Sequence, residues 1–133
     1  MKQVNPNRRA STFSRSRDMS LIVACAVIHR DGYKCAYCDR DGLAIKTNDA
    51  AIRAELDHLI PRKDGGRAIP TNLVTSCGDC NRKRQSHKIH PRRLLDAVGQ
   101  AQKPIDRAIG RELAMKHYPS RMKPRKRDVE VRA

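Results

Sequence analysis

The chain has 133 residues, which is enough for one compact domain with tails but not for two full domains. Leu, Ile, Val and Phe supply only 25 of these residues, and 29 basic against 14 acidic side chains give a net charge of +15. A core this thin needs further stabilisation, and a charge this large favours a polyanionic partner. The longest apolar run, residues 21–28, is too short to span a membrane, so we expect a non-membrane, intracellular protein.

The amino-terminal part of the chain predicts a basic arm followed by one helix. Residues 1–16 contain no acidic side chain and few large apolar ones, so we expect a flexible arm. Residues 18–30 carry apolar side chains at helical spacing, and the predicted apolar face consists of Met19, Ile22, Val23, Ala26 and Val27. Gly32 suits the left-handed position that ends such a helix.

The middle of the chain predicts short strands and one helix. Residues 43–45 favour a short strand, and residues 50–54 favour either a helical turn or the beginning of a strand at 55–59. Residues 73–75 predict another strand, and a helix should begin near Cys80.

Two further helices are predicted towards the carboxyl end. Pro91 and Pro104 each suit the first turn of a helix, and these helices should run to about residues 98 and 117. We therefore divide the chain into four parts: a basic arm (1–16), a central domain (17–90), C-terminal helices (91–118) and a basic tail (119–133).

Positive charge is concentrated towards both ends of the chain. Residues 1–34 carry 7 basic and 2 acidic side chains, residues 91–133 carry 12 and 5, and residues 35–90 carry 10 and 7. Basic ends neutralise phosphates and release counterions, so they predict salt-sensitive binding to nucleic acid. A solvated basic surface and a ribosome-type RNA-binding protein are the alternatives that charge alone leaves open.

Four of the five cysteines form two Cys-x-x-Cys pairs, Cys35 with Cys38 and Cys77 with Cys80. This pattern predicts a tetrahedral zinc site, because each pair turns two thiolates towards one ion. Redox-active pairs are the alternative, but the βαβ pattern that usually carries them is missing. Since thiolates occupy all four positions, the zinc would be structural and would compensate for the thin core. Cys25 is expected to be a small buried apolar residue.

A group of polar residues lies between and just after the two cysteine pairs. Asp57 and His58 end the strand predicted at 55–59, Asn72 precedes the next strand, and Asn81 follows the last cysteine. The order strand, loop, strand and helix would bring Asp57, His58 and Asn81 together across a cleft. Carboxylate and amide oxygens suit Mg²⁺ or Mn²⁺, and an imidazole beside them could take a proton from water.

These residues stand in a pattern that resembles the zinc-knuckle branch of the HNH nucleases. The matching motifs are Arg30-Asp-Gly-Tyr-Lys-Cys35, Cys35-Ala-Tyr-Cys38, Leu56-Asp-His-Leu-Ile-Pro61, Gly65-Gly66, Asn72-Leu-Val and Cys77-Gly-Asp-Cys80-Asn81-Arg-Lys-Arg84. The resemblance covers residues 17–90. It implies a small α+β fold with a ββα-metal (HNH) core, stapled by a four-cysteine zinc site and flanked by helices and basic tails.

The resemblance also implies an activity, namely metal-dependent cleavage of DNA that leaves 5′-phosphate and 3′-hydroxyl ends. His58 would be the general base, Asp57 and Asn81 would hold one Mg²⁺ or Mn²⁺ ion, and Asn72 would hold the loop and orient His58. Asn81 departs from the histidine that is usual at its position, and Arg84-Gln85 stands where many relatives have Lys-Gly. Six basic residues are candidates for contacts to the nucleic-acid backbone: Arg62, Lys63, Arg67, Arg82, Lys83 and Arg84.

By this resemblance we expect double-stranded DNA as the partner, without a membrane or a small-molecule substrate. By analogy, we expect the protein to act in the cytoplasm of a bacterial or phage-infected cell. Two other classes stay open: a zinc-stapled nucleic-acid-binding module without cleavage, and a ribosome-associated or purely structural zinc protein. A binding module that has lost cleavage would be expected to lack Asp57, His58 or Asn81, and all three are present. A purely structural zinc protein would leave these residues unexplained. His87 and His90 suit capping or surface roles better than metal ligation.

Overall fold

Two antiparallel strands followed by a helix form the centre of the fold. The computed structural model describes residues 18–122, so the predicted basic arm and the end of the predicted tail lie outside the described residues. In chain order the elements are α1 (Asp18–Arg30), β1 (Glu55–His58), β2 (Leu73–Ser76), α2 (Gly78–Gln85), α3 (Pro91–Ala101) and α4 (Arg107–His117). This is a small α+β fold, and its ββα unit consists of β1, β2 and α2. Between residues 18 and 122, no helix is long and apolar enough to cross a bilayer.

The two strands pair with a register that places the start of β1 beside the second cysteine pair. Glu55 pairs with Ser76, and His58 pairs with Leu73. Because Cys77 follows Ser76 directly, the cysteines lie at one end of the sheet and His58 lies at the other. The helix α2 then packs against β1.

Helix α1 is buried on all sides along its middle. All eight residues of the run 21–28 are buried, including Leu21 and Ile28 at either end of the run. The helix α4 packs against one side of α1, and Val23 and Val27 contact Leu73 of β2 on another. The prediction of a single apolar face was therefore too narrow, because Leu21, Ala24, Cys25 and Ile28, which lie outside that face, are buried in the main core as well.

A glycine allows α1 and α4 to come into close contact. A Cβ at Gly110 would lie only 2.4 Å from the carbonyl oxygen of Ile22 and 2.8 Å from the Cβ of Ala26. Small residues of the C-terminal helices are also buried in the main core, namely Ala97, Ala101 and Ala114. The predicted C-terminal helices thus contribute to the same core as the ββα unit.

A buried ion pair at the end of α1 ties that helix to β2 and α3. Arg30 and Asp31 lie 2.8 Å apart, and their side chains are 2% and 1% exposed. Arg30 donates hydrogen bonds to three backbone carbonyl oxygens, those of Pro70, Leu73 and Ala101. Asp31 accepts from the backbone N–H of Thr75 at 2.8 Å and from the side chain of Gln100 at 2.9 Å. Since every donor here has an acceptor, these hydrogen bonds and the ion pair offset the desolvation penalty of burying both charges.

Local signals correctly predicted several ends of the helices. Gly32 has a φ of 69°, and its N–H donates to the carbonyl of His29, as expected for a residue that ends α1. The helix α3 begins at Pro91 as predicted, although it continues to Ala101. The helix α4 begins at Arg107 instead of near Pro104, because the carboxylate of Asp106 accepts from the first free N–H groups and caps the helix there.

The segment between Cys38 and β1 contains less regular structure than predicted. Residues 43–45 form no strand, and only a single bridge joins Ala44 to Arg53. Of the two interpretations of residues 50–54, the helical turn is correct, since Ala50–Ile52 is a 3₁₀ turn capped by Asp49. The strand β1 ends at His58, one residue earlier than predicted.

Candidate functional site

The four paired cysteines converge at one end of the sheet and form a group that we call the cysteine cluster: Cys35, Cys38, Cys77 and Cys80. Their sulfur atoms all lie within 4.8 Å of one another, and the Sγ atoms of Cys38 and Cys77 are 3.8 Å apart. A tetrahedral zinc with Zn–S bonds of about 2.3 Å holds its sulfurs about 3.8 Å apart, so the cluster fits such an ion. Cys77 caps α2 and Cys80 lies in its first turn, which places both sulfurs on one side of the helix.

Cys25 lies apart from this cluster. It is fully buried in α1, and burial raises the pKa of its thiol to about 11. A thiol with such a pKa is neutral at physiological pH, so Cys25 acts as an apolar core residue, as predicted.

Residues of α2 that lie one helical turn apart form hydrogen bonds with alternate residues of β1. The side-chain amide of Asn81 donates from Nδ2 to Oε1 of Glu55 at 3.1 Å. One helical turn later, Nε of Arg84 donates to Oδ2 of Asp57 at 3.0 Å. Glu55 and Asp57 share one face of the strand, and Asn81 and Arg84 share one face of the helix. Because Nδ2 of Asn81 is engaged with Glu55, its Oδ1 is the atom that remains to bind a ligand.

The carboxylate of Asp57 is held by two donors on the same oxygen. The hydroxyl of Tyr37 and the guanidinium of Arg84 both donate to Oδ2. Arg84 also donates to the carbonyl oxygen of Leu59 at 2.8 Å. Burial, together with the neighbouring Asp57 carboxylate, raises the pKa of the Tyr37 hydroxyl, so this group stays protonated and acts as a donor. Neither of these bonds involves Oδ1 of Asp57.

His58 ends β1 with a half-buried imidazole. Nε of Arg62 lies 3.4 Å from Nε2 of His58 and donates to it, so Nε2 must carry a lone pair. Burial lowers the pKa of His58 below its usual value of 6.5, and the charge of Arg62 lowers it further, while Asp57 opposes the shift. The imidazole is therefore neutral at pH 7 and able to accept a proton.

Asn72 clamps the loop that follows β1. Its Oδ1 accepts from the N–H of Ile60 at 2.8 Å, and its Nδ2 donates to the carbonyl oxygens of Ile60 and Arg67 at 3.1 and 2.9 Å. Inside this loop, a Cβ at Gly66 would lie 1.6 Å from the carbonyl oxygen of Ile60, so only glycine fits. Asn72 thus fixes the backbone of the loop that follows His58, and its side-chain hydrogen bonds go to this backbone and not to the imidazole.

Three of the four residues predicted for catalysis and for binding the catalytic cation line one cleft, and Asn72 is not among the residues of its walls. This cleft has a volume of about 400 Å³, and its walls include Asp57, His58 and Asn81. Arg62 and Lys63 line it as well. A larger concavity of about 590 Å³ lies beside the first cysteine pair and α3, but its walls contain none of Asp57, His58 and Asn81.

The six predicted nucleic-acid contacts divide into two groups. Five of them have exposed side chains: Arg62, Lys63, Arg67, Arg82 and Lys83. Arg84 is different, because its side chain is 18% exposed and turns inward to Asp57. Its charge is therefore committed to a carboxylate and to backbone carbonyls, whereas the other five remain accessible from solvent.

The two histidines after α2 occupy different positions. His90 caps α3, and its Nδ1 accepts from the N–H of Arg92 at 3.0 Å. His87 lines the cleft and has a φ of 56°, so it takes the left-handed conformation that ends α2. The capping role that the sequence suggested is thus confirmed for His90.

Tyr37 and Glu55 are two residues of the site that sequence reasoning did not single out. Tyr37 lies between the cysteines of the first pair, and Glu55 starts β1 two residues before Asp57. For Glu55, the sequence did contain a signal. Glu55 and Asp57 are two positions apart and therefore share one face of the strand, and Asn81 and Arg84 are three positions apart and share one face of the helix. Nothing in the local sequence connects Tyr37 with Asp57, since they lie 20 positions apart.

Comparison with known proteins identifies the central segment. Residues 35–87 match the family model described as HNH endonuclease. The matched segment begins at the first cysteine of the cluster and includes both strands and all of α2. No curated protein and no solved structure shows a significant match to the chain.

Proposed function

Because residues 35–87 match the family model of the HNH endonucleases, we propose that this chain is an endonuclease that hydrolyses phosphodiester bonds of double-stranded DNA. The observation that carries the proposal is that a carboxylate, a neutral imidazole and an amide, those of Asp57, His58 and Asn81, line one cleft. The net charge of +15 and the exposed arginines and lysines around the cleft support a polyanionic substrate.

The cysteine cluster would hold a structural zinc. Four thiolates complete a tetrahedron, so no position is left for water or substrate. Cys77 and Cys80 belong to the start of α2, and Cys35 and Cys38 belong to the turn after α1. A metal shared by these segments would therefore tie the ββα unit to the segment that precedes it.

His58 would act as the general base. Its neutral imidazole would take a proton from a water molecule that lies in line with the scissile phosphorus. The resulting hydroxide forms a bond to phosphorus, the bond from phosphorus to the 3′-oxygen breaks, and the leaving oxygen takes a proton from solvent. These steps give 5′-phosphate and 3′-hydroxyl ends.

Asp57 and Asn81 offer a fitting pair of ligands for a divalent cation. Oδ1 of Asp57 and Oδ1 of Asn81 are the oxygens that the neighbouring donors leave available, and hard oxygen ligands suit Mg²⁺ or Mn²⁺. Such an ion, when bound, supplies positive charge against the phosphate and the leaving oxygen.

Arg62 would have two partners in turn. Without substrate its guanidinium donates to Nε2 of His58, the atom that must accept the proton. A DNA phosphate entering the cleft is a stronger acceptor for arginine than a neutral imidazole. We therefore expect Arg62 to turn to the phosphate and leave Nε2 of His58 free to act as the base.

Plasmid nicking tests the proposed function. Supercoiled DNA should be nicked in the presence of Mg²⁺ or Mn²⁺, and His58→Ala should lower the rate by about 10²–10⁴-fold, the usual contribution of a general base. His29→Ala is the matched control, because His29 is exposed on α1 and its imidazole contacts Tyr33 instead of a residue of the cleft. The control should keep the wild-type rate.

Two results would contradict the proposal. One is an equal nicking rate in wild type and His58→Ala, which would point to a contaminating nuclease. The other is DNA binding without any metal-dependent nicking, which would return the chain to the class of zinc-stapled binding modules.

A further inference from the structure

Tyr37 connects the cysteine cluster to the cleft. It lies between Cys35 and Cys38, it is 2% exposed, and its hydroxyl donates to Oδ2 of Asp57. A phenylalanine would fill the same space in the core without a polar atom to bury. The contact with Asp57 is therefore the interaction that makes a tyrosine hydroxyl acceptable here.

Arg84 reaches the same oxygen from the other side. It comes from the last turns of α2, and its guanidinium bridges Oδ2 of Asp57 and the carbonyl oxygen of Leu59. Asp57 is thus held between the first cysteine pair and α2. Both elements that carry the donors also carry cysteines of the cluster.

We propose that Tyr37 and Arg84 are positioning residues that fix the Asp57 carboxylate so that its second oxygen, Oδ1, binds the catalytic cation. This inference rests on the proposed function, because it assigns the two donors a purpose within that site. Donors on one oxygen remove the rotation of the carboxylate about its Cβ–Cγ bond, so the ligand oxygen is in place before the cation arrives. The cysteine cluster thereby sets the geometry of the cleft through Tyr37.

Manganese binding to the zinc-loaded full chain is the measurement of choice, because it does not depend on cleavage. Electron paramagnetic resonance of free Mn²⁺ gives the dissociation constant for each variant. Tyr37→Phe should weaken Mn²⁺ binding about 10-fold or more, which is the usual effect of removing a hydrogen bond to a metal ligand. This variant changes no charge, so a weaker affinity reports orientation and not electrostatic attraction.

Tyr33→Phe is the matched control. Tyr33 is close to the same turn and is partly buried, but its hydroxyl contacts His29 and not Asp57. Its Mn²⁺ affinity should equal that of the wild type. Zinc content and melting temperature are measured on both variants. Each quantity should be the same in Tyr37→Phe and in Tyr33→Phe if Tyr37 acts on the cleft and not on the stability of the fold.

Arg84→Lys provides a second test of the same idea. The lysine keeps the positive charge but cannot bridge Asp57 and Leu59 with a planar fork. Mn²⁺ binding should weaken again, while zinc content stays at the wild-type level.

Asp57→Ala separates the possible failures. If Asp57→Ala abolishes Mn²⁺ binding but Tyr37→Phe and Arg84→Lys bind like wild type, the positioning role is wrong and the proposed function stands. If Asp57→Ala binds Mn²⁺ as well as wild type does, both the proposed cation site and the positioning role are wrong.

Discussion

The cysteine cluster and the cleft lie at opposite ends of the same two-stranded sheet, and α2 runs from one to the other. Three of the four cysteines are buried, and all four ligands are sulfur atoms of one kind. In the cleft, by contrast, Asp57 and Asn81 are partly buried and offer two oxygens of different kinds. A closed set of soft ligands retains its ion, whereas an open pair of hard ligands exchanges it with solvent. Under the proposed function, the protein would keep one metal for structure and take up another for chemistry.

The two centres also differ in what holds their ligands. The cysteines are positioned by the backbone of two tight turns, and backbone N–H groups donate to the sulfurs of Cys35 and Cys77. In the cleft, the orientation of Asp57 and Asn81 depends on side chains, namely Tyr37, Arg84 and Glu55. Substitutions near the cleft should therefore change metal binding without unfolding the chain.

The largest expected effect follows from removing a ligand of the cluster. Cys80→Ala removes one of four thiolates, and zinc binding contributes about 10–16 kcal/mol in model peptides, which is as large as the whole stability of a typical domain. We expect the variant to release zinc and to unfold, as measured by circular dichroism and metal analysis. Cys25→Ala is the control, since Cys25 is buried outside the cluster, and it should keep both zinc and helix content. A native-like spectrum from zinc-free Cys80→Ala would show that the cluster does not stabilise the fold.

A brief treatment with EDTA should distinguish the two centres in a single sample. The cleft should release its cation and cleavage should stop, while one zinc per chain remains bound. Adding Mg²⁺ or Mn²⁺ should restore cleavage without a change in zinc content or circular dichroism. If cleavage instead followed zinc content and ignored added Mg²⁺, the roles of the two centres would have to be exchanged.

Removal of the last eleven residues should weaken DNA binding and leave both centres intact. Truncation after Met122 deletes five basic side chains: Lys123, Arg125, Lys126, Arg127 and Arg132. The cut is placed there because Tyr118 and Met122 pack against the core. The slope of log K against log salt should fall by about 0.9 for each DNA phosphate that the tail neutralises, while single-turnover cleavage at saturating DNA stays unchanged. An unchanged salt slope would show that the tail does not bind DNA.

The smallest expected effect is a shift in pH dependence. The pKa of His58 lies below 6.5, so cleavage should increase with pH through a midpoint below that value and then level off. Arg62→Gln removes a charge that lowers this pKa, so the midpoint should move to higher pH. Lys63→Gln removes the same charge from a neighbouring exposed residue and should leave the midpoint in place. Single-turnover rates at sub-saturating DNA and saturating cation, which report the pKa of His58 in the protein before DNA binds, measure both variants, and equal midpoints would contradict the role of Arg62.

Structural features that depend on residues close together in the sequence were predictable in this chain. The spacing within each Cys-x-x-Cys pair predicted that its two thiolates face one ion, and Gly32 predicted the end of α1, because each depends on backbone geometry within a few residues. The two pairs meet across 39 positions, and this contact was predictable only because four thiolates complete a tetrahedral zinc site. The prediction of a strand at residues 43–45 was wrong. These residues form a single bridge, to Arg53, and pair with no neighbouring strand among residues 18–122. The predicted start of α4 near Pro104 was wrong, because the carboxylate of Asp106 caps the helix and makes it begin at Arg107.

Interactions between distant parts of the chain were not predictable from local patterns. The burial of α1 on all sides depends on α4, which meets it at Gly110, more than 80 positions away. In the cleft, the sequence predicted Asp57, His58 and Asn81 but not the side chains that orient them. Arg84 was expected at a phosphate because it is basic and lies on α2, yet its guanidinium is bound to Asp57.

The buried pair of Arg30 and Asp31 has a consequence for the use of this domain as a transplantable cassette. The segment that matches the family, residues 35–87, includes Thr75, whose N–H donates to a carboxylate outside that segment, that of Asp31. It also includes Leu73, which packs against α1 and whose carbonyl accepts from Arg30. A fusion that carried residues 35–87 alone would expose the inner face of β2 to water. The smallest unit that could be grafted onto another protein therefore begins with α1 and extends through α4.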